Sequence, residues 1–177
     1  AQALVQQGRQ VTVVDKGRSV GGRLATRRIG PGLADHGAQF FTVRGPAFAA
    51  HVAAWDAAGL LFRWDNGWSD GSIAGAVVDG HARYAVHGGM NALAKHLAVD
   101  IATRGASIRL NVRLTALSVE NDGWCAASED GATFHAPAVV LTAPAPQSLA
   151  LLTAARVRAP AVVVEFMGCP RWMMGPV

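Results

Sequence analysis

A short apolar run that ends in an acid constrains the fold of this chain most. It reads Val11-Thr-Val-Val-Asp15, and a loop rich in glycine and arginine follows it, Lys16-Gly-Arg-Ser-Val-Gly-Gly-Arg23. In a dinucleotide-binding α/β unit, the second strand ends in a carboxylate that accepts hydrogen bonds from a ribose diol. The N–H groups of Gly21 and Gly22 and the guanidinium of Arg23 are donors that suit a pyrophosphate. The alternative is a buried strand that ends in a solvated turn, and this segment alone does not decide between the two.

The charge pattern bears on the class of ligand. The net charge of +4 invites a nucleic-acid interpretation, yet most of the basic residues are single arginines among apolar neighbours. The dense group comprises Arg18, Arg23, Arg27 and Arg28, within and just after the glycine loop, and it lacks the aromatic–basic alternation of single-strand binders. We therefore predict a phosphate-bearing cofactor and a small-molecule substrate, and no nucleic-acid partner.

Apolar runs and cysteines indicate the compartment. The sequence has no uncharged apolar run of about 18 residues, so we predict no membrane partner. Its two cysteines, Cys125 and Cys169, are far apart, and this spacing predicts neither a disulfide framework nor a metal cluster. Half of the residues are hydrophobic, which is typical of a folded chain. We expect a cytoplasmic protein without a metal site, and the sequence indicates no oligomeric state.

Two segments carry a resemblance to a known family. The first is Asp15-Lys-Gly-Arg-Ser-Val-Gly-Gly-Arg-Leu-Ala-Thr-Arg-Arg28, and the second is Ala34-Asp-His-Gly-Ala-Gln-Phe-Phe-Thr-Val-Arg44. Together they resemble the bacterial renalase-like branch of the flavin amine oxidase superfamily. The likeness is weaker over residues 45–87, returns over residues 88–147 and ends near Ala154. It implies an α/β fold: an incomplete Rossmann-like FAD/NAD(P)-binding domain of the glutathione reductase type, with a β-meander and an inserted α+β substrate lobe.

The resemblance also implies which residues bind FAD. It places Gly37 where the backbone approaches the isoalloxazine ring, which only a residue without Cβ permits, and Gln39 near the ring edge. The backbone near Leu114 would contact adenine. The full set predicted to bind FAD is Asp15, Lys16, Gly21, Gly22, Arg23, Gly37, Ala38, Gln39, Phe40, Leu114, Thr142 and Ala143.

The implied chemistry belongs to the flavin. A reduced nicotinamide-type compound or an amine would give up hydride, and dioxygen would be the acceptor. No Ser/His/Asp or Cys/His pair stands at informative spacing, so no catalytic residue is assigned. His36 is more simply a local hydrogen-bonding residue than a base. Trp64 and Trp68 either line a pocket for a planar substrate or cover the core of the lobe.

The chain order predicts four parts. Residues 1–45 form the first part of the FAD-binding domain, residues 46–87 the first part of the substrate lobe, residues 88–147 the second part of the FAD-binding domain, and residues 148–177 the start of a return to the lobe. Periodicity and turn residues predict helices over 1–7, 47–58, 91–104 and 146–152. They also predict strands over 11–14, 60–64, 107–111 and 138–144, a meander over 113–136 and a loop over 65–80.

The position of Asp15 leads us to expect a fragment. A G-x-G-x-x-G turn should precede such an acid by roughly 20 residues, and too few residues stand before it. We therefore expect the first strand, its phosphate turn and a C-terminal part to be missing, and these 177 residues alone to bind FAD weakly or not at all. Two alternatives remain: a nicotinamide-dependent dehydrogenase and a non-catalytic nucleotide-binding module. The Gly-Gly-Arg loop and the Gly37 segment favour FAD.

Overall fold

The computed structural model describes residues 1–68, 77–120 and 123–156. The chain divides into two units, Ala1–Asn111 and Val112–Val177. The helices are α1 (Gln2–Gln6), α2 (Pro46–Ala57), α3 (Asn91–Thr103) and α4 (Ala145–Ala154). The strands are β1 (Thr12–Val14), β2 (Thr26–Ile29), β3 (Gly32–Asp35), β4 (Phe41–Thr42), β5 (Leu61–Trp68), β6 (Val77–Val86), β7 (Ser107–Arg109), β8 (Leu114–Glu120), β9 (Gly123–Ser128) and β10 (Thr133–Ala136). Within the described ranges, no helix has the length and apolar character needed to cross a membrane.

A parallel pair of strands begins the first unit. Strand β1 runs alongside β7, with Thr12 opposite Ser107 and Val14 opposite Arg109. Helix α1 precedes β1, and Gly8 takes the positive φ of +74° that favours glycine after a helix. The predictions of an N-terminal helix, an early strand and a parallel strand near residue 107 are therefore confirmed.

Two antiparallel sheets complete the strands of the first unit. Strands β2 and β3 form a hairpin, and β4, β6 and β5 form a sheet in that order. The prediction that β5 ends at residue 64 and that a loop follows is wrong, because β5 continues to Trp68 and β6 begins at Val77. The register shifts on either side of Asp65, as at a β-bulge, so that Asp65 and Gly67, residue types common in turns, still pair with β6. Residues 69–76 of the predicted loop lie outside the described residues.

The core of the first unit lies between α2, β5, β6 and α3. Its buried members are Val52, Leu61, Val86, Met90 and Leu93. An aromatic group packs beside them: the Phe41 ring lies 5.9 Å from Tyr84, 5.6 Å from Phe48 and 6.3 Å from Trp55, measured between ring centroids. The predicted apolar face of α2 is therefore confirmed, although Phe48 at its edge is 38% exposed.

A meander forms the sheet of the second unit. The strand order is β10-β9-β8, with antiparallel pairing throughout, which confirms the predicted three-stranded arrangement. Gly131, in the turn between β9 and β10, has φ of +84°, as an Asp-Gly turn requires. Leu117 and Ala126 are buried and lie opposite one another on β8 and β9.

The predicted buried strand over residues 138–144 is wrong. These residues have no regular secondary structure, and Val140 is 73% exposed. A buried parallel strand needs neighbouring strands for its backbone groups, and the parallel pairing seen among the described residues is that of β1 with β7. An apolar composition does not by itself provide such neighbours. The helix predicted to follow is confirmed as α4, whereas the apolar run over residues 161–167 lies outside the described residues.

The Asp130 carboxyl, in the turn after β9, should make the stability of the second unit depend on pH. Hydrogen bonds from the Ser128 hydroxyl and, secondarily, from the Ala132 N–H hold the pKa of the Asp130 carboxyl below its ordinary value. Because the pKa of Asp130 is lowered in the folded state, its carboxylate stabilises the fold at pH values above the ordinary pKa. This stabilisation is lost as the pH falls through the folded-state pKa. Ser128→Ala should raise the pKa of Asp130, as measured by NMR titration of its carboxyl carbon. Ser148→Ala removes a hydroxyl of α4 and should leave that titration unchanged; the same curve in both variants would contradict this assignment.

Candidate functional site

Asp15 lies directly after the carboxyl end of β1. Its N–H donates to the Arg109 carbonyl of the neighbouring strand at 2.8 Å. Its half-buried carboxylate accepts the Gly17 N–H through Oδ1, also at 2.8 Å. The Gly17 carbonyl in turn accepts the Asn111 N–H at 3.0 Å. Ligands of open α/β sheets bind at the carboxyl ends of strands. Asp15 therefore lies where the sequence predicts a ribose-binding group.

The glycine loop is held by a side chain of α3. The Asn91 amide donates through Nδ2 to the Val20 carbonyl at 2.6 Å. Gly21 has φ of +120°, and a Cβ on it would overlap the Asn91 amide, so both the backbone angle and the packing require glycine. A Cβ on the exposed Gly22 would meet nothing within 4 Å. The loop is therefore packed against α3 at Gly21, whereas its backbone at Gly22 is exposed to solvent.

The β2–β3 hairpin binds the start of the same helix. Asp35 accepts hydrogen bonds through Oδ1 from the Thr26 hydroxyl and, at 3.0 Å, from the Met90 N–H. The Asn91 N–H donates to Thr26 Oγ1 at 3.0 Å. A Cβ on Gly89 (φ of +89°) would overlap Thr26, so glycine is needed here for the close approach. Hairpin, helix and glycine loop thus form one hydrogen-bonded assembly.

Removal of the Asp35 carboxylate should destabilise this assembly. Asp35→Ala leaves the Met90 N–H and the Thr26 hydroxyl without their acceptor, which should cost about 1–3 kcal/mol of unfolding free energy. Urea denaturation followed by circular dichroism measures the loss. Asp56→Ala, at an exposed position in α2, is the matched control and should change stability by about 0.5 kcal/mol or less. Equal stability of the two variants would contradict a role for Asp35 in holding the start of α3.

Gly37 packs against the backbone of the glycine loop. A Cβ at this position would overlap the Arg23 carbonyl and come within 3.3 Å of the Ala25 nitrogen. The neighbouring Ala38 N–H donates to the Arg23 carbonyl at 2.8 Å, which ties the two segments together. This packing is one physical reason for glycine, and the approach of a flavin ring to the same backbone stays a prediction. His36 is exposed, and its backbone N–H donates to the Ala25 carbonyl at 3.2 Å.

An open cleft of about 410 Å³ lies on the first unit. Gln39 and Trp64, which the sequence analysis named for different reasons, both line it. The Trp64 side chain is 49% exposed, and its ring lies 5.4 Å from that of Phe40 between centroids. The Arg83 guanidinium lies 5.7 Å from the centroid of the Phe40 ring. The remaining lining residues are Ala34, Asp35, Phe62 and Ala85.

Three predicted FAD-binding residues belong to the second unit. Leu114 begins β8 and lies opposite Ser128. Thr142 is exposed, and the Ala143 carbonyl accepts the Ser148 hydroxyl at 3.1 Å. Their role in FAD binding stays a prediction, and so does the role of each of the other nine residues predicted to bind FAD, including the exposed Lys16. Sequence reasoning missed Thr26, Asp35 and Asn91 as positioning residues, because their hydrogen-bond partners lie 55 to 71 residues away in the chain.

The parallel pair, the acid after β1 and the glycine loop have the arrangement that the sequence analysis predicted for a nucleotide-binding α/β protein. A family model described as flavin containing amine oxidoreductase matches residues 47–168, more than half of the chain. A model described as NAD(P)-binding Rossmann-like domain matches residues 1–55. The chain belongs to the flavin containing amine oxidoreductase family. This membership confirms the predicted flavin amine oxidase superfamily and its cofactor FAD, and the second model confirms the Rossmann-like α/β character.

Solved structures of putrescine oxidase have a similar fold. Wild-type putrescine oxidase bound to putrescine matches with a TM-score of 0.55 and 14% identity. A triple mutant and a double mutant from a redesign of cofactor binding in that enzyme each match with a TM-score of 0.56, also at 14% identity. Each match covers 77% of this chain and 53% of the other. The chain therefore spans about half the length of these structures.

Proposed function

We propose that the protein carrying this chain is a renalase-like or amine oxidase-like enzyme that oxidises an amine or a reduced nicotinamide-type compound, with dioxygen as the acceptor. The observation that carries the proposal is the position of Asp15 at the carboxyl end of β1, next to an anchored glycine loop. The family model of flavin containing amine oxidoreductases supports it. FAD, when bound, supplies the hydride acceptor.

The donor set around Asp15 fits the sugar–phosphate part of FAD. Among the described residues, the donor to the Asp15 carboxylate is the Gly17 N–H at Oδ1, so Oδ2 can accept a ribose hydroxyl. The exposed backbone at Gly22 and the exposed Arg23 side chain offer N–H donors to a pyrophosphate. Because Asn91 holds the carbonyl just before Gly21, these donors would need little reordering when the cofactor binds.

The open cleft suits a cationic or planar substrate. Its aromatic wall includes Trp64 and Phe62, and an ammonium group over an aromatic face gains cation–π stabilisation. The half-buried carboxylate of Asp35 adds a negative group, and the Gln39 amide adds a donor and an acceptor. We infer that this cleft binds the substrate, with Trp64 as its main contact.

A peroxide assay on the FAD-loaded protein tests the proposal. Putrescine, simple monoamines and reduced nicotinamide isomers are offered in turn, and one class should give hydrogen peroxide in proportion to oxygen consumed. Trp64→Ala should raise KM for that class by about 3–30-fold, the range expected for a lost cation–π or stacking contact. Val99→Ala, at an exposed position of α3, should leave KM unchanged. Absence of peroxide with every class would refute the proposed reaction.

A nicotinamide-dependent dehydrogenase is the second candidate. The match of residues 1–55 to an NAD(P)-binding Rossmann-like domain favours it, because the same acid-terminated strand can bind the ribose of NAD. Substrate-dependent reduction of NAD(P)⁺ by flavin-free protein, without oxygen uptake, would establish this candidate. Oxygen uptake that requires FAD and no added NAD(P)⁺ would exclude it.

A further inference from the structure

Three side chains that bind metals elsewhere in proteins converge on one face of the meander. Cys125, in the central strand β9, lies opposite His135 of β10 and opposite Ser118 of β8. Glu120 stands two residues after Ser118 and therefore shares its face of the sheet. A thiol, an imidazole and a carboxylate are thus presented side by side by three paired strands.

The distances within this group suit a small metal ion. Cys125 Sγ lies 3.9 Å from His135 Nε2, whereas the other ring nitrogen, Nδ1, lies 3.3 Å from Glu120 Oε2, so a single ion would take one of these two nitrogens. One ligand atom from each residue lies within 4.8 Å of the others. Tetrahedral zinc, with bonds of about 2.0–2.3 Å, separates its ligand atoms by about 3.3–3.8 Å. Small side-chain rotations would therefore close the group around one ion.

The three side chains differ in burial: Cys125 is buried, and His135 and Glu120 are exposed. Cys125 is 8% exposed, whereas the side chains of His135 and Glu120 are 61% and 53% exposed. An ion can therefore approach from solvent between the imidazole and the carboxylate and reach the sulfur beneath them. The burial of the thiol disfavours a second use of the same trio, as a nucleophile with a base and an orienting acid, because a nucleophile must reach its substrate.

We propose that Glu120, Cys125 and His135 form a three-ligand binding site for zinc or a similar divalent transition metal. A thiolate and an imidazole select zinc over magnesium and calcium, and three protein ligands leave a fourth position for water or another donor. Binding replaces the thiol proton, which is released to solvent, and no oxidant or reductant is needed. The site lies in the meander and is independent of the proposed amine oxidation.

The test is a zinc titration of the full chain against a chromophoric chelator. One Zn²⁺ should bind per chain, and magnesium should not compete. His135→Gln, Glu120→Gln and Cys125→Ser should each weaken binding by about tenfold or more, since even residues that only support metal ligands cost about 10–100-fold. Matched controls at His96, Glu129 and Cys169 (His96→Gln, Glu129→Gln and Cys169→Ser) should retain the wild-type affinity.

A second readout identifies the sulfur ligand. Co²⁺ in place of Zn²⁺ should show a thiolate-to-cobalt charge-transfer band that Cys125→Ser abolishes and Cys169→Ser leaves intact. The exposed His135 and Glu120 variants keep the test valid if the buried cysteine variant folds poorly, and circular dichroism checks each fold. Undetectable Zn²⁺ binding, or unchanged affinity in the His135 and Glu120 variants, would overturn the proposal.

Discussion

Alanine at position 37 is expected to cost about 2–3 kcal/mol of unfolding free energy and to weaken FAD binding at the same time. The added Cβ would overlap the Arg23 carbonyl, which is backbone and cannot rotate away as a side chain could. The hydrogen bond from the Ala38 N–H to the same carbonyl would also be strained. The glycine loop, which contains Arg23, would then have to shift. Urea denaturation measures the first effect, and flavin retention in the protein that carries this chain measures the second.

Gly32→Ala is the matched control for Gly37→Ala. Gly32 lies in β3 of the adjoining hairpin, and a Cβ there would meet the Ile29 carbonyl at an ordinary 3.5 Å. Its unfolding free energy should change by about 0.5 kcal/mol or less. If Gly37→Ala were as stable as Gly32→Ala and retained flavin equally well, the close packing of Gly37 on Arg23 would have no energetic importance.

Loss of the Asp15 carboxylate should have the largest effect on the cofactor. Asp15→Ala should weaken FAD retention by about 1–3 kcal/mol, or about 5–150-fold, the order expected when a hydrogen bond to a charged group is lost. The Gly17 N–H would also lose its acceptor, so the loop after β1 would be less ordered. A dialysis or gel-filtration series with quantified flavin measures the dissociation constant.

Asp56→Ala serves again as the control for Asp15→Ala, because it removes one exposed carboxylate from the same unit. Its FAD dissociation constant should equal that of the wild type. If Asp15→Ala also retained FAD with wild-type affinity, Asp15 would have no part in the site, and the ribose-binding role would need another residue.

Local sequence signals predicted much of the fold because they act over a few residues. The apolar spacing of Val52 and Trp55 indicated the buried face of α2, and Val52 is buried in the structure. Glu129-Asp130-Gly131 indicated the turn between β9 and β10. The early apolar run indicated β1, and with it the position of Asp15 at a strand's carboxyl end. Each of these features depends on neighbours in the chain.

The features that sequence reasoning missed depend on partners far away in the chain. Asp35 accepts the N–H of Met90, just before α3, from 55 residues earlier in the chain, and Thr26 accepts the N–H of Asn91 across 65 residues. Strand β5 continues through Asp65 because β6 pairs with it across register shifts, which no local pattern announces. Residues 138–144 have the composition of a buried strand without its regular structure.

The proposed metal site also depends on residues that lie apart in the chain. Glu120, Cys125 and His135 are separated by five and ten residues, a spacing that matches no linear metal-binding motif. They become neighbours only because β8, β9 and β10 pair in the observed register. Cross-strand register is set by the meander as a whole, so the trio is visible in the structure and not in the order of residues.

Flavin content tests the central account most directly. The protein that carries this chain, purified and passed through gel filtration, should be yellow, absorb near ~450 nm and release one FAD per chain on denaturation. Wild-type protein that stays colourless, and that gains no flavin absorbance when unfolded and refolded with excess FAD, would contradict the assignment of Asp15 and the glycine loop to a flavin nucleotide.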